Sequence, residues 1–273
     1  MVTLRVPTHE FKSKNRSAPP HRFRYRPRMP DAAERPPRPA IPDRVDAIDW
    51  RRVEADLDSD GWARIPGLLS PSDSRAVARL FGDDAVFRSR VVMGRHGFGR
   101  GEYKYFAYPL PETVQQLRSA FYPRLRDVAN RWNEAMGLEP RFPDAHDDFL
   151  LRGHAAGQTR PTPLLLQYGE GDYNCLHQDL YGEHVFPLQV AVLLAAPGAD
   201  FLGGEFVLTE QRPRMQSRPT VVPLAQGDAV IFAVHHRPVR GTRGFYRVNM
   251  RHGVSRILAG HRHTLGVIFH DAA

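Results

Sequence analysis

YNCLHQDLYG, residues 173–182, follows closely on the apolar run PLLLQY (163–168) and carries one His-x-Asp pair, His177 and Asp179. In an extended segment, residues i and i+2 point to the same side. An imidazole and a carboxylate then stand side by side and can offer two adjacent ligands to one metal. The pair alone decides little. With 13 His and 19 Asp in 273 residues, chance supplies about one, and the chain holds a second, His146 and Asp148 in AHDDFLL (145–151). That second pair lies in a polar, Pro-flanked segment that reads as helix or loop. On a helix, residues i and i+2 diverge by about 200° around the axis.

The surroundings of the first pair set the fold class. From residue 163 onward, PLLLQYG, FPLQVAVLLAAPG, GEFVLTE, DAVIFAV, FYRVNMRHGV and HTLGVIFH are short, β-rich and separated by Gly/Pro turns. Antiparallel strands without crossover helices argue a sandwich or jelly roll, not a parallel sheet. Helical patterns come earlier. DRVDAIDWRRVEADLDSDGW (43–62) reads as one amphipathic helix ending near Gly61, and WARIPGLL as a short strand. SPSDSRAVARLF has Ser70 before Pro71, the order of a helix start. PETVQQLRSAFYPRLRDVANRWNEAMG is helical over several turns, with Pro123 expected to kink or split it. The expected layout is α+β: a sandwich or jelly-roll core over 160–273, with helices of 44–159 packed outside.

The net charge of +8 is unevenly spread: residues 1–43 hold ten Lys/Arg against four Asp/Glu, and the remainder is nearly balanced. This segment is rich in Pro and Arg and poor in aliphatic residues, so it reads as a disordered basic tail. Its HRFRYRPR run interleaves Arg with aromatics, a composition that can track a phosphate backbone, though a non-functional extension is the plainer reading. With one cysteine there is no intrachain disulfide and no Cys-type zinc site, and Cys175 reads as a small buried residue. Neither a secretory signal nor a long apolar span is visible, which favours a cytoplasmic protein.

A third metal ligand is needed. His252 lies between two strand-like runs in RVNMRHGVSRILAGHRHTLGVIFH (247–270), with Arg262 ten residues on and Thr264 on the same strand face. His235, His236, His261, His263 and His270 compete for the place. Two imidazoles and one carboxylate on one face of a metal ion leave the opposite face open.

In this order, His177, Asp179, His252, Arg262 and Thr264 resemble the pattern of the iron(II)- and 2-oxoglutarate-dependent oxygenases of the double-stranded β-helix fold. GGEF (203–206) and LAQGDAVIF (224–232) look like the prolyl-hydroxylase-like branch. HGFGRGEYKYF (96–106), DYNCLHQDLYG (172–182) and GGEFVLTEQRPRMQSRP (203–219) look like a largely uncharacterised bacterial family within it, linked by proposal to nucleic-acid modification. The resemblance implies Fe(II) on the His/Asp/His set, with 2-oxoglutarate and O₂ as cosubstrates. The remote carboxylate of 2-oxoglutarate would pair with Arg262, helped by Thr264. Tyr168, nine residues before His177, and Asn174 are further cosubstrate candidates. The implied reaction is hydroxylation, or oxidative demethylation where the oxidised carbon is next to nitrogen.

RSRVVMGRHGFGRGEYKYFAYPLP (88–111) is dense in Gly, Arg and aromatics, and is suited to covering a substrate through Arg95, His96, Phe98, Arg100, Tyr103 and Tyr105. A twisted hairpin with surface cations is the plainer reading of the same stretch. Nucleic acid is the favoured substrate class; a peptidyl proline and a small molecule are the alternatives. A cupin-like metal-binding module without turnover is the rival from another class, and the cation Arg262 speaks against it.

Overall fold

The computed structural model describes residues 39–139 and 141–273. The tail up to residue 38 lies outside the described residues. Helix α1 (Ile41–Asp46) starts inside the segment assigned to the tail, and Ile41 is buried. The expected single helix over 43–62 is two, α1 and α2 (Trp50–Asp60), because the Asp49 side chain accepts the Arg52 N–H and caps a new start. Strand β1 (Trp62–Ile65) follows, then α3 (Pro71–Arg79), opened by a reciprocal Ser70/Asp73 capping box.

The stretch expected to be helical also contains sheet. β2 (Phe87–Val92), β3 (Gly99–Arg100) and β4 (Glu102–Phe106) form strands because EYKYF alternates with period two. Helix α4 (Glu112–Met136) runs through Pro123 without splitting. Pro123 and Ser119, whose carbonyl loses its partner there, both face solvent, so water can satisfy the freed group. Helix α5 (His146–Ala155) completes the helical set among the described residues.

The chain then alternates between two sheets. β5 (Leu164–Tyr168), β6 (Tyr173–His177), β7 (Leu188–Leu193), β8 (Phe201–Gly203), β9 (Phe206–Gln211), β10 (Arg218–Val222), β11 (Ala229–Ala233), β12 (His236–Gly241), β13 (Gly244–Val254), β14 (Ile257–Gly260) and β15 (Arg262–Val267) are laid down in turn. The larger sheet has the order β1-β11-β7-β15-β5-β4-β2, and the smaller β10-β9-β13-β6-β3 with β12 on β13. β8 and β14 make a separate pair. The ladders are antiparallel, and the layout is the expected double-stranded β-helix with helices outside.

Period-two alternation splits the larger sheet into two functions. Leu165, Val190, Val192, Ile231, Leu265 and Val267 join the helix-facing core with Val114, Leu117, Phe121 and Leu125 of α4. The opposite face, carrying Tyr168, Gln189, Ala191, Arg262 and Thr264, looks into a cavity toward the smaller sheet. No helix among the described residues is long and apolar enough to cross a membrane.

Candidate active site

His177 ends β6, and His252 lies directly opposite it on β13. Their ring centroids are 4.1 Å apart. Asp179, just past β6, sits between them: His177 Nε2 is 3.4 Å from Oδ1 and His252 Nε2 is 3.3 Å from Oδ2. The ligand atoms of the three residues lie within 4.8 Å of one another. His177 Nδ1 is 2.8 Å from the Cys175 carbonyl, so a proton there leaves the Nε2 lone pair free. Tyr181, unremarked in the sequence, donates its hydroxyl to Asp179 Oδ1 at 2.8 Å. Phe232 packs its ring 4.7 Å from that of His252.

Electrostatics favours an ionised carboxylate at this point. Burial pushes Asp179 up, but hydrogen bonds and charge from His177 and His252 outweigh it and hold the carboxyl well below the usual range. Burial lowers His252, with the neighbouring His177 adding to the effect. His177 is also desolvated, yet the Asp179 hydrogen bond and charge turn its shift upward. One buried carboxylate flanked by two imidazole nitrogens is a donor set that fits a divalent first-row metal such as Fe(II).

A cavity of about 200 Å³ runs from this cluster along the inner face of β15. At its other end Arg262, 1% exposed, stands 2.5 Å from Thr264 Oγ1 and makes no ion pair with a carboxylate among the described residues. Burial lowers its pKa to about 10, so it remains a cation at neutral pH. Its Nε has no hydrogen-bond partner, and neither has the buried Tyr168 hydroxyl. The Asn174 side chain approaches that hydroxyl without completing a bond, and burial pushes the phenol up. Gly266 also lines the cavity, and a Cβ there would stand 2.7 Å from Leu164 Cδ2. An unpaired buried cation beside a free hydroxyl fits an elongated dicarboxylate whose second end reaches the His/Asp/His cluster.

The remaining sequence candidates separate. Phe98 and Tyr103 line the cavity. Tyr105 does not; it is buried edge-on between Tyr103 and Tyr181, at 5.3 and 6.2 Å. His96 stacks on Phe98 at 5.4 Å, Arg95 is exposed, and Arg100 turns 3.8 Å from Asp172. Cys175, expected to be buried, is exposed, on a strand whose neighbour β3 is only two residues long. The competing pair resolves as structure: His146 is buried with Nε2 2.7 Å from the Phe269 carbonyl, and Asp148 faces solvent.

Gln189, like Tyr181, is a residue sequence reasoning missed. It is 4% exposed, lines the cavity, and its Oε1 has no partner. A polar residue within the apolar strand LQVAVL is the signal that marks it.

Comparison with known proteins follows this geometry. A family described as "Oxygenase, catalysing oxidative methylation of damaged DNA" matches residues 101–272. Uncharacterised proteins from two strains of Mycobacterium tuberculosis are 49% identical over 217 residues, covering 78% of this chain and 91% of theirs. Among solved structures, a Pseudomonas putida prolyl-4-hydroxylase superposes with a TM-score of 0.50 at 15% identity, over 82% of this chain and 99% of that one. A Trichoplax adhaerens prolyl hydroxylase, solved with a hypoxia-inducible-factor peptide, gives 0.50 at 14% identity, over 82% and 89%.

Proposed function

We propose that this chain, which belongs to the oxygenase family so matched and to the iron(II)/2-oxoglutarate oxygenase superfamily, oxidises a nucleobase in nucleic acid. The observation that carries the cofactor assignment is the unpaired buried Arg262 at one end of the cavity that holds the His/Asp/His cluster at the other. His177, Asp179 and His252 would hold Fe(II), and Arg262, Thr264 and Tyr168 the remote carboxylate of 2-oxoglutarate. Iron, 2-oxoglutarate and O₂ together supply the oxidant for inserting oxygen into a C–H bond, with release of succinate and CO₂. The chain's own residues fix the ligand direction, keep water from the apolar floor and hold Asp179 ionised.

Three features support a nucleobase. The matched family is described by action on DNA. Phe98, 48% exposed, and Tyr103 give the cavity aromatic faces on which an extruded base can stack. The Gln189 carbonyl needs a hydrogen-bond donor, and 2-oxoglutarate at neutral pH has only acceptors. An N–H on a base edge can supply it. Oxidation of a methyl on nitrogen would end in its loss. The oxygenase domain in this reading is residues 39–273, and the preceding Arg-rich segment adds phosphate contacts.

The test has two stages. Anaerobic titration with Fe(II) and 2-oxoglutarate should give the weak visible charge-transfer band of the ternary complex. Succinate formation should then be stimulated by an oligonucleotide carrying N-methylated bases. Stimulation by a proline-containing peptide, with none by any oligonucleotide, would overturn the substrate assignment.

A further inference from the structure

Two of the three residues of the metal cluster are fixed by strand register, since His177 and His252 face each other on β6 and β13. Asp179 is not. It lies in the segment between β6 and β7, residues 178–187, which has neither helix nor strand. A carboxylate on such a segment keeps its place only if something ties the backbone down.

Gln178, next to Asp179, ties the start of the segment to β13 through the Asn249 side chain and the Met250 carbonyl, and Gln158, just beyond α5 and 1% exposed, ties its 181–184 stretch. Gln158 Nε2 is 3.1 Å from the Tyr181 carbonyl, 3.2 Å from that of His184 and 2.6 Å from that of Asp271. Its Oε1 accepts the His184 N–H at 2.7 Å. One carboxamide thus joins the metal loop to the C-terminal segment. Gly182 lets the loop close on it: φ there is +97°, and a Cβ would stand 2.5 Å from Gln158 Cδ. From the clamped backbone of Tyr181 the side chain returns to Asp179, donating to Oδ1 at 2.8 Å.

We propose that Gln158 is a positioning residue for the metal: it fixes the 181–184 backbone, this fixes the Tyr181 hydroxyl, and the hydroxyl orients the Asp179 carboxylate. The proposal rests on the reading of His177, Asp179 and His252 as metal ligands. Only a carboxamide offers donors and an acceptor on one uncharged head; Glu loses the donors, and Lys or Arg loses the acceptor. Gln158 touches neither metal nor substrate, so its effect is on the carboxylate ligand, not on the two imidazoles.

The experiment uses the full chain and Mn(II) or Co(II) alone. Gln158→Met matches the length and removes every bond. Mn(II) binding by calorimetry should weaken about tenfold or more, the usual loss for outer-shell partners of metal ligands. The Co(II) absorption spectrum should shift, reporting altered carboxylate coordination, and hydrogen exchange should quicken over residues 180–184 while α4 stays protected. Wild-type Mn(II) affinity and Co(II) spectrum in a folded Gln158→Met overturns the proposal. If that variant does not fold, Gly182→Ala displaces the carboxamide from the other side and should produce the same two changes; unchanged metal binding there overturns it equally. A wild-type chain that binds neither ion removes the metal reading and this inference with it, whereas normal wild-type binding with unaffected variants removes only the role of Gln158.

Discussion

Three arginines of this chain are among its most deeply buried side chains: Arg118, Arg237 and Arg262. Behind the larger sheet, Arg118 is 2.7 Å from Asp271 Oδ1, donates to the Ile268 carbonyl at 2.9 Å and reaches the Tyr108 hydroxyl. Arg237 pairs with Glu210 and donates to the Asp58 carbonyl. Arg262, inside the cavity, has a threonine hydroxyl and two aromatic rings, Tyr168 and Phe201, at 5.7 and 5.9 Å. Burial of a cation is costly unless an anion meets it. In the first two cases the fold supplies the anion. In the third no carboxylate among the described residues pairs with it, which is what a site for an anionic ligand requires.

The largest effect should come from breaking a pair the fold completes. Arg118→Met leaves Asp271 buried with its main counter-charge gone, and should cost about 3–5 kcal/mol of stability. Denaturant unfolding measures it. Arg262→Met should behave in the opposite way. It removes an uncompensated charge, so stability should hold or rise, while 2-oxoglutarate affinity falls about 30-fold or more. Fe(II) or Mn(II) binding should persist. A loss of stability in Arg262→Met as large as that in Arg118→Met would erase the distinction between the two regions.

Part of this contrast was legible in the chain and part was not. His177 with Asp179, and Arg262 with Thr264, could be paired because strand geometry places i and i+2 on one face, while His252 was chosen among several histidines only by resemblance to the oxygenase pattern. An antiparallel core was legible from short apolar runs between turns, and its β-helix form from the family resemblance. The strands of 87–106 were legible as the plainer of two readings, a twisted hairpin with surface cations, and β2 and β4 do pair antiparallel there. Gln158 could not have been found: its partners Tyr181, His184 and Asp271 are far off in sequence and reach it only through chain packing. The same holds for Arg118, whose pairing with Asp271 spans most of the domain.

A pH series sharpens the comparison on the paired side. His146 is buried against Tyr122, with Nε2 on the Phe269 carbonyl, and burial, helped by the charge of Arg118, lowers its pKa to about 3. The unfolded value is about 6.5. The folded state therefore binds the proton less readily, so this group's contribution is complete above about pH 6.5 and is lost as pH falls toward 3. Each pH unit in that window should remove up to about 1.4 kcal/mol. Asp271, also buried but held low chiefly by Arg118, adds its own loss only below the ordinary carboxylate range. Unfolding measured from pH 7 to pH 4 should be less steep in His146→Gln by about one proton. Equal slopes would mean that His146 is already charged in the fold.

The smallest expected effect lies at the cavity end. The Tyr168 hydroxyl is fully buried and has no partner, although Asn174 is near. An unsatisfied buried hydroxyl lowers stability, and one that meets a ligand carboxylate returns about 0.5–1.5 kcal/mol, more where the acceptor is charged. Tyr168→Phe keeps the ring that packs over the Arg262 guanidinium and removes only the oxygen. The ligand-free variant should be as stable as the parent or slightly more so. Its 2-oxoglutarate affinity should fall by about fivefold, with metal affinity unchanged. The opposite pair of results, lower stability and unaltered 2-oxoglutarate binding, would show that the hydroxyl serves the fold, and would leave Arg262 and Thr264 as the whole of the carboxylate site.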